Sequence, residues 1–87
     1  MKVSVWDTYV ERKDGKIMHF DILVPSNLKN EYTIYGYGKE FLKNKPFQTG
    51  NLTSKECKFC HIEEASSAIK IQILKNGFFI IEMEHCN

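Results

Sequence analysis

Residues 2–24 read KVSVWDTYVERKDGKIMHFDILV, and this stretch decides the fold of the N-terminal part of the chain. Two runs rich in β-branched and aromatic residues, 2–10 and 17–24, indicate β-strands. Between them, Asp14-Gly15 is a dipeptide that favours a two-residue turn with positive φ at both central positions. The sequence therefore predicts an N-terminal β-hairpin.

The length of the turn determines which residues face each other across the hairpin. A two-residue turn pairs Lys13 with Lys16 and places Tyr9 opposite Phe20. Because side chains alternate between the two faces of a sheet, one face then collects apolar residues and packs on the core. The predicted core face consists of Val3, Val5, Tyr9, Met18, Phe20, Ile22 and Val24.

Polar residues within the hairpin form a candidate site. In the same register Thr8 lies opposite Asp21, with His19 diagonal to it and Trp6 as an apolar wall. These residue types suit acid–base chemistry, but no nucleophile is indicated, so we interpret the triplet as an exposed cross-strand polar cluster. Asp7 falls on the apolar face, where a carboxylate needs a hydrogen-bond partner. A longer turn would change the register and remove this conflict.

The rest of the chain alternates helices and strands. Apolar spacing predicts a helix over 30–44, in which we expect Gly36 and Gly38 to allow close packing on the sheet. Thr53 and Glu56 have the spacing of a capping box. The other predicted elements are a loop at 46–51, a strand over 59–63, a helix from Ser66-Ser67 to a stop at Gly77, and a covered strand over 78–84.

Length and composition bound the class of protein. The 87 residues are enough for one hydrophobic core, so we expect a single domain over residues 1–87. The order β-β-α-(turn)-β-α-β indicates an α+β fold, a small mixed sheet with helices packed on it. The chain has 12 Lys and Arg against 11 Asp and Glu, and therefore lacks the basic field that nucleic-acid binding needs.

The compartment and the partners are predicted from the same composition. The charged N-terminal residues form neither a signal peptide nor a membrane anchor, and the three cysteines suit reduced thiols in the cytoplasm. The hairpin should leave residues 17–24 at the edge of the sheet, which favours a homodimer through an edge strand. Any other partner is an unspecified protein or small molecule.

Four stretches carry a resemblance to a known family: VSVWDTYVERKDGKIMHFDILVP, IYGYGKEFL, LTSKECKFCHIEEA and GFFIIEMEHC. In this order they resemble the small bacterial family called the domain of unknown function two thousand and twenty-four. WDTYV and CxFCHIE are the most specific of the shared patterns. The resemblance implies an α+β fold and no established activity, so it transfers no catalytic residue to this chain.

The motif Cys57-x-x-Cys60-His61 allows three chemical interpretations. C-x-x-C-H attaches c-type haem, whereas C-x-x-C alone is a zinc half-site or a thiol redox pair. We expect no haem, because attachment follows export in most bacterial systems. Zinc would need ligands beyond Cys57, Cys60 and His61, and parallel strands would place Cys86 on the order of 20 Å away. Cys60 and His61 should also point to opposite faces of a strand.

We expect the cysteines to be packed rather than reactive. Neither Cys57 nor Cys60 lies where a helix N-terminus would stabilise a thiolate. Cys60 and Ile62 should face the core, which leaves Cys57 as the more accessible thiol. The sequence thus predicts a non-enzymatic binding or interaction module without a cofactor. The alternative is a thiol redox or zinc-binding activity at Cys57, Cys60 and His61.

Overall fold

The computed structural model describes residues 1–87 and contains four strands and two helices. The order of elements agrees with the sequence prediction of an α+β fold that begins with a β-hairpin. In chain order the elements are β1 (Lys2–Glu11), β2 (Ile17–Pro25), α1 (Glu31–Lys43), β3 (Cys57–Glu64), α2 (Ser67–Asn76) and β4 (Phe79–Glu84). None of the helices is long and apolar enough to cross a membrane.

The four strands form one sheet in the order β3-β1-β2-β4, and every neighbouring pair is antiparallel. The prediction of a mixed sheet was therefore wrong. β3 and β4 lie at opposite edges and run in opposite directions, because each is antiparallel to a different strand of the central hairpin. The start of β3 and the end of β4 consequently lie at the same end of the sheet, and the distance argument made for Cys57 and Cys86 does not hold.

The hairpin turn is one residue longer than predicted. The Arg12 amide donates to the Lys16 carbonyl (2.8 Å), and the Gly15 amide donates to the Arg12 carbonyl (3.0 Å). Gly15 has φ +92°, as in a three-residue loop with a left-handed third residue. The register is therefore shifted by one residue, and Tyr9 pairs with His19 instead of Phe20.

The sheet packs on a helix at each face. On one face, α1 contributes Ile34 and Leu42 to the larger core, and the strands contribute Trp6, Val10, Met18, Phe20, Ile22 and Val24. On the other face, Ile73 of α2 packs on Val3, Val5 and Leu23. The prediction that the residues of the predicted core face all share one face of the sheet was therefore wrong. Val3 and Val5 are buried on the α2 side, and Tyr9 is half exposed.

A β-bulge changes where the side chains of β3 point. Val5 pairs with His61 and Trp6 pairs with Phe59, so Cys60 is the extra residue between them. Phe59 contacts Trp6 edge-on, at 5.8 Å between ring centroids. Cys60 is exposed and Ile62 is 47% exposed, so the prediction that both face the core was wrong. β3 is an edge strand, and no helix covers these side chains.

The outer strands are also placed differently from the prediction. Residues 17–24 belong to an interior strand, since β2 is flanked by β1 and β4. β4 was expected to be central and covered on both sides, but it forms the second edge, and its apolar residues are only half buried. Local hydrophobicity did not distinguish a central strand from an edge strand that lies beside a helix.

The two helices begin and end close to where the sequence predicts. Asn30 caps α1, Ser66 caps α2, and Gly77 ends α2 in a left-handed conformation with φ +92°. The capping box is present, because the Thr53 amide donates to Glu56 Oε1 at 2.7 Å.

The two glycines of α1 have different roles. A Cβ at Gly38 would lie 2.5 Å from Leu52 Cδ1 and 3.0 Å from Ile22 Cδ1, so α1 approaches the sheet closely there. A Cβ at Gly36 would meet nothing within 4 Å. The close-packing interpretation therefore applies to Gly38 alone.

Candidate functional site

One half of the α2 face of the sheet is left without a helix. Along β1 this face presents Val3 and Val5 and then Asp7, and along β2 it presents Leu23 and then Asp21. The ten-residue helix α2 packs on the apolar half only. We call the uncovered half the open face. It comprises Asp7, Tyr9, His19, Asp21, Lys58, Cys60 and His61.

His19 lies at the centre of the open face. Its ring stacks on Tyr9 with 4.1 Å between centroids and 11° between planes, which fixes the orientation of the imidazole. Its Nε2 lies 3.2 Å from Asp7 Oδ1 and 3.8 Å from Asp21 Oδ1. One ring nitrogen thus faces two carboxylates.

Asp7 and Asp21 are direct cross-strand partners. Two like charges in that position repel each other, so the pair favours a single shared proton. Burial, together with a hydrogen bond to Asp7 and the Asp7 charge, raises the pKa of Asp21 to about 6. Hydrogen bonds from Asp21 and then His19 hold the pKa of Asp7 below its usual value. Asp21 is therefore the carboxyl group of the pair that loses its proton at the higher pH.

One oxygen of Asp21 has no partner. The Asp21 side chain is 14% exposed, and its Oδ1 is enclosed without a hydrogen bond. Buried polar atoms are normally satisfied by protein, water or a ligand. This oxygen lies 3.8 Å from His19 Nε2, which is too far for a hydrogen bond.

Cys60 and His61 adjoin this cluster because of the bulge. His61 Nδ1 lies 3.2 Å from Cys60 Sγ, and His61 Nε2 lies 2.8 Å from Glu63 Oε1. The expectation that Cys60 and His61 point to opposite faces was wrong, since a bulge breaks the alternation of side chains. Desolvation and the charges of Asp7 and Asp21 raise the pKa of the Cys60 thiol. The surroundings thus disfavour a reactive thiolate.

Cys57 lies on the other side of the sheet. It is 1% exposed in the α1-side core and pairs with Thr8 across β1 and β3. Burial raises the pKa of its thiol. The prediction that Cys57 is the more accessible thiol was wrong. Cys57 and Cys60 project from opposite faces, so they cannot act together as one chelating or redox pair.

The structure retains two members of the predicted polar triplet and replaces the third. His19 and Asp21 are neighbours, but Thr8 is buried on the opposite face, where its hydroxyl donates to the Trp6 carbonyl at 3.3 Å. Asp7 takes the place of Thr8, which resolves the conflict noted in the sequence. With a three-residue loop, the Val3–Val5–Asp7–Tyr9 alternation would have identified the cluster.

A surface cavity adjoins the open face. Its volume is ≈ 370 Å³, within the range of small-molecule sites. Asp7, Tyr9 and Cys60 of the open face line it, together with Lys55, Glu56, Lys58 and Phe59. Of the three clustered residues Asp7, His19 and Asp21, only Asp7 lines this cavity.

The fold and the site together define a class of protein: a small α+β domain whose antiparallel sheet carries a polar cluster on the uncovered half of one face. The chain belongs to the family described as a domain of unknown function (DUF2024), whose model matches residues 1–83. This confirms the resemblance seen in the sequence. Protein NE1680 from Nitrosomonas europaea, solved by NMR, is similar to the chain at 38% identity.

The similarity to NE1680 covers 100% of both chains with a TM-score of 0.86, so it includes every element of the fold. No protein of curated function matches the chain. The family and its structural relative therefore establish the α+β architecture and assign no activity.

Proposed function

We propose that the protein is a non-enzymatic binding module of the cytoplasm and that its ligand binds at the open face. The observation that carries the proposal is the grouping of Asp7, His19 and Asp21 on the half of the sheet that α2 leaves uncovered. Facing carboxylates repel each other, so a ligand that brings positive charge between Asp7 and Asp21 would be stabilised there.

The electrostatics of the site select the charge of the ligand. Asp7 and Asp21 face each other, and a cation placed between them would remove their repulsion. Desolvation and then the charges of Asp7 and Asp21 also raise the pKa of the nearby Cys60 thiol. We therefore propose that the ligand presents a positive charge to the open face.

Binding can be tested by NMR with isotope-labelled protein and a set of small cationic, neutral and anionic compounds. Cationic compounds should shift the amides of β1 and β2 around Asp7 and Asp21 in a saturable manner. The double variant Asp7→Asn and Asp21→Asn should lose these shifts. A matched control is Lys39→Gln, beside a ≈ 520 Å³ cavity next to α1 that is lined by Lys39, Lys43 and Lys45.

The outcomes separate the two surfaces. Saturable binding of cationic compounds that survives Lys39→Gln supports the proposal. Saturable binding of anionic compounds at the lysine-lined cavity alone would overturn the assignment of the site. A complete lack of saturable shifts for all compounds would overturn the binding function at the open face.

The alternative of thiol redox or zinc chemistry at Cys57, Cys60 and His61 is less well supported. A redox pair or a C-x-x-C chelate needs both sulfurs on one side, whereas Cys57 is enclosed in the core and Cys60 projects from the opposite face. Covalent haem attachment has the same requirement, so haem is not part of the proposal. Any zinc binding or thiol chemistry would have to use Cys60 and His61 without Cys57.

A further inference from the structure

The donor atoms on the open face have the geometry of a metal site. Asp7 and Asp21 each offer a carboxylate oxygen and His19 offers Nε2, and the three atoms all lie within 4.8 Å of one another. Around a tetrahedral or octahedral ion with bonds of about 2.0–2.2 Å, neighbouring ligand atoms are about 2.8–3.6 Å apart. The 3.2 Å distance from His19 Nε2 to Asp7 Oδ1 lies within this range, and the 3.8 Å distance to Asp21 Oδ1 is slightly longer.

A second observation concerns the burial of one of these donor atoms. Asp21 Oδ1 is enclosed and has no hydrogen-bond partner, and it lies 3.8 Å from the same His19 nitrogen. An acceptor in this position needs a donor or a cation, because an unsatisfied buried polar atom is costly. A cation bound by His19 Nε2 and both carboxylates would satisfy this oxygen.

The protein also holds the ligands in place. Asp7 and Asp21 extend from paired positions on the two central strands, which the sheet hydrogen bonds fix relative to each other. The imidazole plane of His19 is set by stacking on Tyr9. The three side chains are therefore held in place before any ligand binds, as in a pre-organised site.

We propose that Asp7, His19 and Asp21 bind a divalent first-row transition-metal ion on the open face. The donor set of two carboxylate oxygens and one imidazole nitrogen suits zinc, manganese or iron(II) better than calcium or magnesium, which prefer oxygen donors alone. Three protein ligands leave at least one coordination position for water or a ligand group. This inference rests on the proposed function, since it names the cation that the open face binds.

The test uses untagged full-length protein, stripped with a chelator and titrated with zinc and with cobalt(II). We expect one equivalent to bind in isothermal titration calorimetry. Asp21→Asn keeps the shape of the side chain and should weaken binding by at least the roughly 10–100-fold that even loss of a supporting partner of a ligand costs. Asp14→Asn, which removes an exposed carboxylate at the hairpin turn, is the matched control and should leave the affinity unchanged.

Cobalt(II) spectra distinguish the two nearby donor sets. Binding at Asp7, His19 and Asp21 predicts d–d bands without a sulfur-to-cobalt charge-transfer band, and Cys60→Ser should not alter them. A charge-transfer band that disappears in Cys60→Ser, with binding retained in Asp21→Asn, would overturn the inference by assigning the metal to Cys60 and His61.

Failure of the inference can be told apart from failure of the proposed function. If no metal binds but organic cations still shift the open-face amides, the metal site is wrong and the binding module stands. If neither binds, both are wrong. Folding of each variant is checked by its amide spectrum, and His19→Gln provides a second ligand variant should Asp21→Asn disturb the sheet.

Discussion

At the residue scale, Asp7 and Asp21 make stability depend on pH in an unusual direction. The pKa of Asp21 is raised to about 6 in the folded protein, chiefly by burial and then by Asp7, so the folded state holds a proton that the unfolded state releases near its ordinary value of 3.8. The free energy of unfolding should therefore fall as pH rises from about 4 to about 7 through this group. The lowered pKa of Asp7 acts only below this window.

The variant Asp21→Asn should be more stable than the wild type at neutral pH. The amide preserves a donor for Asp7 and removes the repulsion, which after allowance for solvent screening is worth roughly 1 kcal/mol, or about 4–8 °C in Tm for a domain of this size. The difference should shrink near about pH 4.5, because Asp21 of the folded wild type is then protonated and no longer repels Asp7. Thermal unfolding in the presence of a chelator measures both values. The other titratable groups on this face are the same in the wild type and in the variant: Tyr9, His19, Lys58, Cys60, His61 and Glu84.

Asp14→Asn is the control, because its expected effect on Tm at neutral pH has the opposite sign to that of Asp21→Asn. The pKa of Asp14 is held low by the Lys16 amide and by Arg12, so its carboxylate stabilises the turn at neutral pH. Its loss should lower Tm slightly at neutral pH. A lower Tm for Asp21→Asn at neutral pH would contradict the repulsion assigned to the pair.

The three thiols should differ sharply in their rate of alkylation. Cys60 is exposed, whereas Cys57 and Cys86 are 1% and 4% exposed, so native protein should be labelled at Cys60 alone. Labelling should still be slower than that of a free thiol near neutral pH, because desolvation and the charges of Asp7 and Asp21 raise the pKa of Cys60. Mass spectrometry after timed alkylation locates each label.

Two variants test the cause of the slow labelling. Asp7→Asn should speed the labelling of Cys60, since it removes one of the two charges that oppose the thiolate. Cys60→Ser should leave a protein that is labelled only on unfolding. Labelling of Cys57 as fast as Cys60 in folded protein would show that the α1-side core does not enclose Cys57.

At the scale of elements, α1 offers a matched pair of glycines. Gly36→Ala should stabilise the protein by about 0.5–1 kcal/mol, because alanine favours a helix and its methyl group meets nothing. Gly38→Ala should be destabilised by roughly 1–3 kcal/mol relative to Gly36→Ala, since its methyl group displaces Leu52 and Ile22. Urea unfolding of both variants gives the comparison, and equal stabilities would show that α1 does not pack closely at Gly38.

The hairpin turn shows why elements were easier to predict than the site. Asp14-Gly15 marked the hairpin correctly, yet the same dipeptide fits a two-residue turn and a three-residue loop with Gly15 at positive φ. Because side chains alternate along a strand, that one residue decides whether Asp7 faces Ile22 or Asp21. The bulge at Cys60 is a second such feature, set by pairing with β1 and not by the local sequence.

At the scale of the whole molecule, helix ends were predicted well and sheet order was not. Caps at Asn30, Ser66 and Gly77 are local signals, read from a few neighbouring residues. The positions of β3 and β4 depend on which edge of the hairpin each strand joins, and this choice is made by tertiary packing. Similar apolar runs can occur at the centre or at the edge of a sheet, so the sequence could not distinguish the two.

The sheet order rules out the predicted dimer interface at residues 17–24, because β2 is an interior strand, and leaves β3 as an available edge. Residues 57–64 form an edge strand with one row of backbone donors and acceptors unpaired. Phe59 and Ile62 are 53% and 47% exposed on the α1 side, where they border a cavity of ≈ 270 Å³ with Leu28. We propose that a second copy of the chain pairs with this edge and covers these two side chains.

Light scattering at increasing protein concentration should show a weak monomer–dimer equilibrium. Ile62→Lys should shift it to the monomer, because a charge on the edge strand opposes both burial and pairing. Met83→Lys is the matched control, since Met83 is 53% exposed on the opposite edge strand, β4. A monomer mass at the highest concentration would exclude the dimer. A loss of dimer in Met83→Lys but not in Ile62→Lys would assign the interface to β4.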